Sequence, residues 1–202
     1  TDAALAMAMG HVILKEYYID KETPYFKEYA KEFTDMPFLV RVEDINGAVQ
    51  PGRFLNAKDL GSKEDGADFQ TVLIDETTNE IVVPNGTMGD RHTNPQKWNL
   101  RLENRNTGAK IDPRLSVFDQ RQDVTVVKLP YFGDEEHEGV IERAIPTITV
   151  QTVDGPVKVT TVYDLILANY GIDRGIGGEV ATSYTDDTPY TPTWQEKITG
   201  VK

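Results

Sequence analysis

The sequence predicts an α/β protein: an α/β framework carrying a large β-rich insertion. Three observations predict it. Residues 1–36 and 161–202 carry helical apolar spacing, residues 37–160 carry short β-branched runs divided by turn signals, and a Thr-Asp pair opens the first helix. The expected division is therefore 1–36, a helical start, 37–160, the β-rich insertion, and 161–202, the return to helical framework.

Thr1-Asp2 followed by AALAMAMGHVIL predicts a capped helix. The Thr1 hydroxyl can accept from free amides of the first turn, and Asp2 suits the positive end of the helix dipole. The side chains at Ala3, Ala4, Ala6, Ala8 and Gly10 are small, which lets such a helix lie close on a neighbour. Lys15-Glu16-Tyr17 is expected to end its buried part, and His11 reads as a satisfied near-core histidine. Thr23-Pro24 opens a second helix with proline at its first position. Its apolar face is Tyr25, Phe26, Tyr29, Ala30 and Phe33.

Pro37 stops that helix, and Phe38 to Val42 then reads as a strand. Asn46-Gly47 signals a hairpin. Strands are expected at Thr71 to Ile74, Ile81 to Val83, Val124 to Leu129, Ile145 to Val150 and Val157 to Val162. Asn85-Gly86 marks a turn, and Asp154-Gly155 a hairpin between the last two strands. A helix over Val162 to Tyr170 is ended by Gly171, and another from Thr191-Pro192 through Ile198 is ended by Gly200.

Composition excludes several classes. With 39% hydrophobic and 27% charged residues in 202, a packed core is expected and global disorder is not. A net charge of −12 repels phosphate backbones and anionic lipid, so no nucleic-acid partner is expected. No apolar run approaches the roughly 20 residues that span a bilayer, so direct membrane insertion is not expected. The longest, Ala3 to Leu14, is interrupted by Gly10 and His11, and no charged segment precedes it as in a signal peptide. A chain that opens at Thr1 on an apolar helix reads as cut from something longer. There is no cysteine, so disulfides, thiolate nucleophiles and cysteine-held zinc or iron–sulfur clusters are excluded within these residues.

The Thr1-Asp2 pair carries the most chemistry. An aspartate at a helix start can accept from both N1–H and N2–H of a guanine, a donor pair no other common base offers. The same pair also makes an ordinary helix cap, and spacing alone favours the cap. Gly175-x-Gly177-Gly178 lacks a preceding strand and a full phosphate-loop fingerprint, so it reads as a plain loop. His11, His92 and His137 show no metal-ligand spacing, while Asp134 to Glu138 and Asp186-Asp187 read as solvated acidic loops. No Ser/His/Asp order or paired-carboxylate spacing rises above chance. Residue patterns alone therefore lead to a nucleotide-binding α/β segment.

TDAALAMAMGHVILKEYYID followed by YFKEYAKEFTDMPFLV resembles the molybdopterin oxidoreductases that carry two guanine dinucleotides. In that superfamily a Thr/Ser-Asp pair opens a helix of the first dinucleotide-binding domain and contacts the guanosine end of one pterin. Thr1 and Asp2 match that pair, and the residue preceding it in the motif lies before Thr1. GRFLNAKDL, VPNGTMG, KWNL, LPYFG, VTTVYDLILANYGIDRG, ATSY and YTPTWQEKITGV follow in order and narrow the resemblance to the alpha subunits of membrane-associated respiratory nitrate reductases. The resemblance leaves a nitrite oxidoreductase relative open as the alternative, and it implies that residues 1–36 start part of a dinucleotide-binding α/β domain of which 37–160 is the large β-rich insertion and 161–202 the return.

The resemblance implies two-electron reduction of nitrate to nitrite. It implies a bis-molybdopterin guanine dinucleotide molybdenum centre and a 4Fe-4S cluster in the parent, with at most the guanosine end of one dinucleotide on this segment. It implies an iron–sulfur beta subunit and a cytochrome b gamma subunit passing electrons from quinol, at the cytoplasmic face of the cell membrane. No residue here matches the molybdenum-ligand motif, so no catalytic or metal residue is assigned.

Two rivals stay open. The β-rich middle could be a docking module for partner subunits, using exposed aromatics such as Trp98, Tyr131 and Phe132. The segment could also be an unrelated nucleotide-binding domain, which would bind adenine nucleotides rather than guanine.

Overall fold

A computed structural model describes residues 2–86, 101–131 and 139–202. The elements form where local chemistry demands them. Helix α1 spans Asp2–Ile13 and runs on without a break into a π-helical stretch, Leu14–Asp20. That continuation buries Leu14 and Tyr18, so Lys15-Glu16-Tyr17 does not end the buried part as expected. The wider π turns keep Leu14 and Tyr18 on the core side while Lys15 pairs outward with Asp20 at 2.8 Å.

Helix α2 is Pro24–Phe33, with proline in its first turn as predicted, but Thr23 makes no side-chain cap. Its apolar face is only partly inward. Ala30 is buried and Phe26 packs on the core, whereas Tyr25, Tyr29 and Phe33 are exposed. Periodicity finds the face of a helix but does not say what covers it.

Strands β1 (Leu39–Ile45) and β2 (Ala48–Phe54) form the hairpin that Asn46-Gly47 predicts. Asn46 has φ 57° and Gly47 φ 81°, the left-handed pair that a two-residue type I′ turn requires. A small antiparallel ladder follows, β3 (Leu73–Ile74) with β4 (Ile81–Val82). Then come β5 (Asp123–Pro130), β6 (Val140–Thr152) and β7 (Gly155–Thr161). The main sheet has the order β2-β1-β7-β6-β5 and is antiparallel throughout. β6 gives residues 140–147 to β5 and residues 148–152 to β7, and this stagger leaves the sheet curled, with β2 reaching β5.

Two more helices complete the fold, α3 (Val162–Asn169) and α4 (Pro192–Thr199). Each begins on a working threonine cap: Thr161 accepts from the Asp164 amide and Thr191 from the Trp194 amide, both at 3.1 Å. Each ends at a left-handed glycine, Gly171 at φ 69° and Gly200 at φ 74°.

The core lies on both sides of the sheet. Leu39, Leu55, Val72, Val117 and Val159 fill one side. Val127, Leu129, Tyr131, Ile141 and Ala168 fill the other, and Leu14, Tyr18, Ala30 and Leu167 join the helices. Tyr131 is therefore not the exposed docking residue the sequence led us to expect; it is 1% exposed, packed against Tyr190 and Trp194. Trp98 and Phe132 lie outside the described residues.

The chain is thus of mixed α/β class, helices around a curled antiparallel sheet. Among the described residues no parallel strand pair forms between named strands, so the doubly wound sheet of a dinucleotide-binding domain is not built by them. The physical reason is chain order: the strands follow one another as hairpins, and α3 leads into no further strand.

Candidate cofactor-binding site at the start of the first helix

Helix α1 is held from its inner side by three contacts. Ala4 and Ala8 are buried and let the backbone approach its neighbours. At Gly10 an added Cβ would sit 2.4 Å from Cε1 of Tyr170, so only glycine fits beneath that ring. His11 is fully buried, with Nδ1 2.6 Å from the Tyr170 carbonyl oxygen. A carbonyl can only accept, so Nδ1 carries the proton and donates. Burial lowers the His11 pKa below 6.5 and is the largest influence; the Tyr170 bond opposes it, while Lys15 and Arg143 add to it. His11 is thus the satisfied core histidine that its apolar helix implied.

The other end of α1 is open. Asp2 lies in the first turn, exposed, with no hydrogen bond or ion pair among the described residues. Thr1 lies outside the described residues, so the predicted pair is not brought together in view. Beside this helix start runs an apolar groove of about 670 Å³, lined by Ala3, Met7, Leu129, Leu165, Trp194 and Ile198 among others. It offers flat apolar walls and little charge. Trp194 Nε1 donates to the Tyr131 hydroxyl at 3.0 Å, which fixes the indole at the groove edge.

A second, polar cleft of about 500 Å³ lies between α2 and residues 113–120. It holds four cations, but each has its own carboxylate: Lys27 with Glu22, Lys31 with Asp112, Arg114 with Glu76 and Arg174 with Asp164 at 2.5–2.6 Å. Paired cations leave no net pull on a phosphate.

Two buried charges tie distant segments and were not legible as such. Asp164 is fully buried. It accepts from Ser116 Oγ at 2.6 Å, the Val117 amide at 2.9 Å, Thr161 Oγ1 at 2.9 Å and Arg174 Nη1 at 2.5 Å. The signal was present: Thr161-x-x-Asp164 has capping-box spacing. Arg143, on β6, donates to the backbone oxygens of Glu179 and Pro189, and burial pulls its pKa down to about 10. An arginine inside a strand gives no such signal, because its partners lie 36 and 46 residues away.

The remaining candidates resolve simply. Gly178 has φ 88° and lies where a Cβ would meet the Ala144 amide at 2.7 Å, so glycine there serves close backbone approach, while Gly175 and Gly177 take positive φ with open space around them. Asp186 accepts from Thr182 and Ser183 amides in a local turn. His92, His137 and the acidic run at 134–138 lie outside the described residues, and among the described ones no metal-binding cluster of His, Cys, Asp and Glu occurs.

No family model matches the chain. Individual relatives do. The nitrate reductase alpha chain of Bacillus subtilis (strain 168) is 48% identical over 202 residues, all of this chain and 16% of that one. Respiratory nitrate reductase 1 alpha chain of Escherichia coli (strain K12) is 42% identical over 214 positions, again all of this chain and 17% of that one. The perchlorate reductase subunit alpha of Dechloromonas aromatica (strain RCB) is 36% identical over 94 residues, 45% of this chain and 8% of that one. The chain spans about a sixth of the length of the nitrate reductase relatives it matches.

An α/β segment with an apolar helix opened by an aspartate, matched end to end by the two nitrate reductase chains, is similar to a segment of the molybdopterin oxidoreductase class. The relatives that cover all 202 residues are nitrate reductase alpha chains, and the chain corresponds to one segment of them.

Proposed function

We propose that this chain serves as one segment of the catalytic subunit of a molybdenum-dependent respiratory nitrate reductase. The observation that carries the reading is 48% identity across all 202 residues to a nitrate reductase alpha chain. The whole enzyme would convert nitrate, two electrons and two protons into nitrite and water. When bound, the molybdenum centre supplies the redox chemistry, and the protein supplies placement and electrostatics.

The part we assign to this segment is placement. Asp2 would accept from the N1–H and N2–H of one guanine, with Thr1 beside it. The exposed, unpaired Asp2 carboxylate at a helix start fits that donor pair. With no cysteine in the chain, a 4Fe-4S cluster would be held by thiolates elsewhere in the parent. Residues 1–36 and 161–202 would belong to the dinucleotide-binding framework and 37–160 to its insertion. Among the described residues no helix is long and apolar enough to cross a membrane. We assign the parent to the cytoplasmic face of the membrane, as a peripheral subunit beside an iron–sulfur beta subunit and a cytochrome b gamma subunit that pass electrons from quinol.

The direct test supplies the full-length protein containing this segment with reduced viologen and nitrate. Nitrite should form in proportion to viologen oxidised. Viologen oxidation by chlorate or perchlorate with none by nitrate would move the protein to another branch of the class.

A further inference from the structure

The turn between β1 and β2 sets a reactive side chain beside a backbone nucleophile. Asn46 and Gly47 form the two-residue loop, at φ 57° and 81°, and both are exposed. An asparagine followed by glycine carries its own electrophile and nucleophile: the side-chain carboxamide carbon and the next backbone nitrogen, with no Cβ on the second residue to block their approach. A Cβ built at Gly47 would meet nothing within 4 Å. The Asn46 carboxamide makes no hydrogen bond among the described residues, so nothing holds it away from that nitrogen. The Gly47 amide donates to Asp44 Oδ1 at 2.7 Å, which puts a proton acceptor on the nitrogen that would attack. The loop leads into β2, the edge strand of the main sheet, so the backbone rotation that attack requires opens only an exposed turn. A second Asn-Gly pair, Asn85-Gly86, is held differently. The Asn85 amide donates to the Glu103 carbonyl at 3.0 Å, its carbonyl accepts from the Arg101 amide at 3.1 Å, and its carboxamide reaches Glu103 Oε2 at 3.5 Å.

We infer that Asn46 is a self-modification site, at which the folded chain converts asparagine into isoaspartate and aspartate with Asp44 as the proton acceptor. The Gly47 nitrogen bonds to the Asn46 side-chain carbonyl carbon while its proton passes to Asp44 Oδ1. The bond from that carbon to the carboxamide nitrogen breaks, and the nitrogen takes up the proton and leaves as ammonia. Water then opens the resulting succinimide ring at either carbonyl, and no electron is gained or lost in the sequence. Opening at the backbone carbonyl leaves isoaspartate, whose peptide bond runs through the side chain and lengthens the main chain by one carbon. The loop it lengthens has only two residues and sets the register of β1 against β2, so conversion loosens the edge of the main sheet.

The test ages the full-length protein containing this segment, folded, at neutral pH and physiological temperature. Peptide mass spectrometry reads the exchange of amide for acid at Asn46 and Asn85, and an isoaspartyl methyltransferase with labelled methyl donor marks isoaspartate. Asn46 should convert at least about tenfold faster than Asn85, which must first open locally, and isoaspartate should appear at position 46. Asp44→Asn keeps an acceptor for the Gly47 amide but removes the base, so it should slow conversion at Asn46 at least about threefold. Equal rates at Asn46 and Asn85 overturn the inference by making the reaction a property of the dipeptide and not of the fold. Unchanged or faster conversion in the Asp44→Asn protein overturns the role of Asp44, and aspartate without isoaspartate overturns the succinimide route. An Asn46 that stays intact throughout overturns the inference outright. None of these readouts depends on nitrate reduction, so their failure and that of the proposed function are separable.

Discussion

His11 donates from Nδ1 to the Tyr170 carbonyl across 2.6 Å, joining the first helix to the end of α3 over 159 residues of sequence. The helix whose start bears Asp2 is thereby positioned by residues far from it in the chain. Burial keeps the imidazole neutral by lowering its pKa below 6.5. The unfolded chain then binds more protons than the folded one as pH falls past about 6.5, so stability is complete above that value and is lost toward the folded pKa. Thermal midpoints of the chain measured from about pH 5 to about pH 7.5 should therefore fall on the acid side, and less steeply in a His11→Asn variant. Equal slopes in both proteins would show that His11 is not the titrating group.

Gly10 is the steric half of the same joint. In a Gly10→Val variant the new side chain collides with the Tyr170 ring, and urea unfolding should report a loss of about 1–3 kcal/mol. The cost should shrink when Tyr170→Ala removes the ring, because contacting residues couple. A cost that is unchanged in the double variant would place the strain elsewhere.

Asp164, itself buried, gathers four donors. Asp164→Ala should cost about 3–5 kcal/mol, since the buried donors that converge on the carboxylate lose their acceptor and the partly buried Arg174 loses its counter-charge. The Asn variant should cost less, as its oxygen still accepts. Equilibrium unfolding of both distinguishes this from a mere volume effect, which would make Ala and Asn alike.

Arg143 uses its planar fork to reach two carbonyls that a lysine cannot span together. Arg143→Lys should thus lose about 2–4 kcal/mol in the same unfolding assay. Retention of full stability by the lysine variant would mean that the charge matters and the geometry does not.

What was legible in the sequence was local. The Thr191 helix start, the glycine stops at Gly171 and Gly200, and the Asn46-Gly47 turn each act within a few residues, and each appeared where expected. What was not legible depends on distant partners. β6 extends back to Val140 although Glu142 and Arg143 break its apolar run, because Glu179 and Pro189 supply acceptors for the buried guanidinium. Tyr131 read as a surface ring but is enclosed by Tyr190 and Trp194. Tyr25, Tyr29 and Phe33 read as a core face and stand outward. At the candidate site the helix start was legible from Asp2, while the Gly10–Tyr170 and His11–Tyr170 contacts that hold it were not.

In the proposed function Asp2 would grip a guanine at the start of α1. Molybdenum and guanine nucleotide content of the purified full-length enzyme, with Asp2 intact and as Asp2→Ala, measures this most directly. Both contents should drop together in the variant, while residual molecules that retain cofactor keep their KM for nitrate. Full loading of the Ala enzyme with both molybdenum and guanine nucleotide would contradict the account.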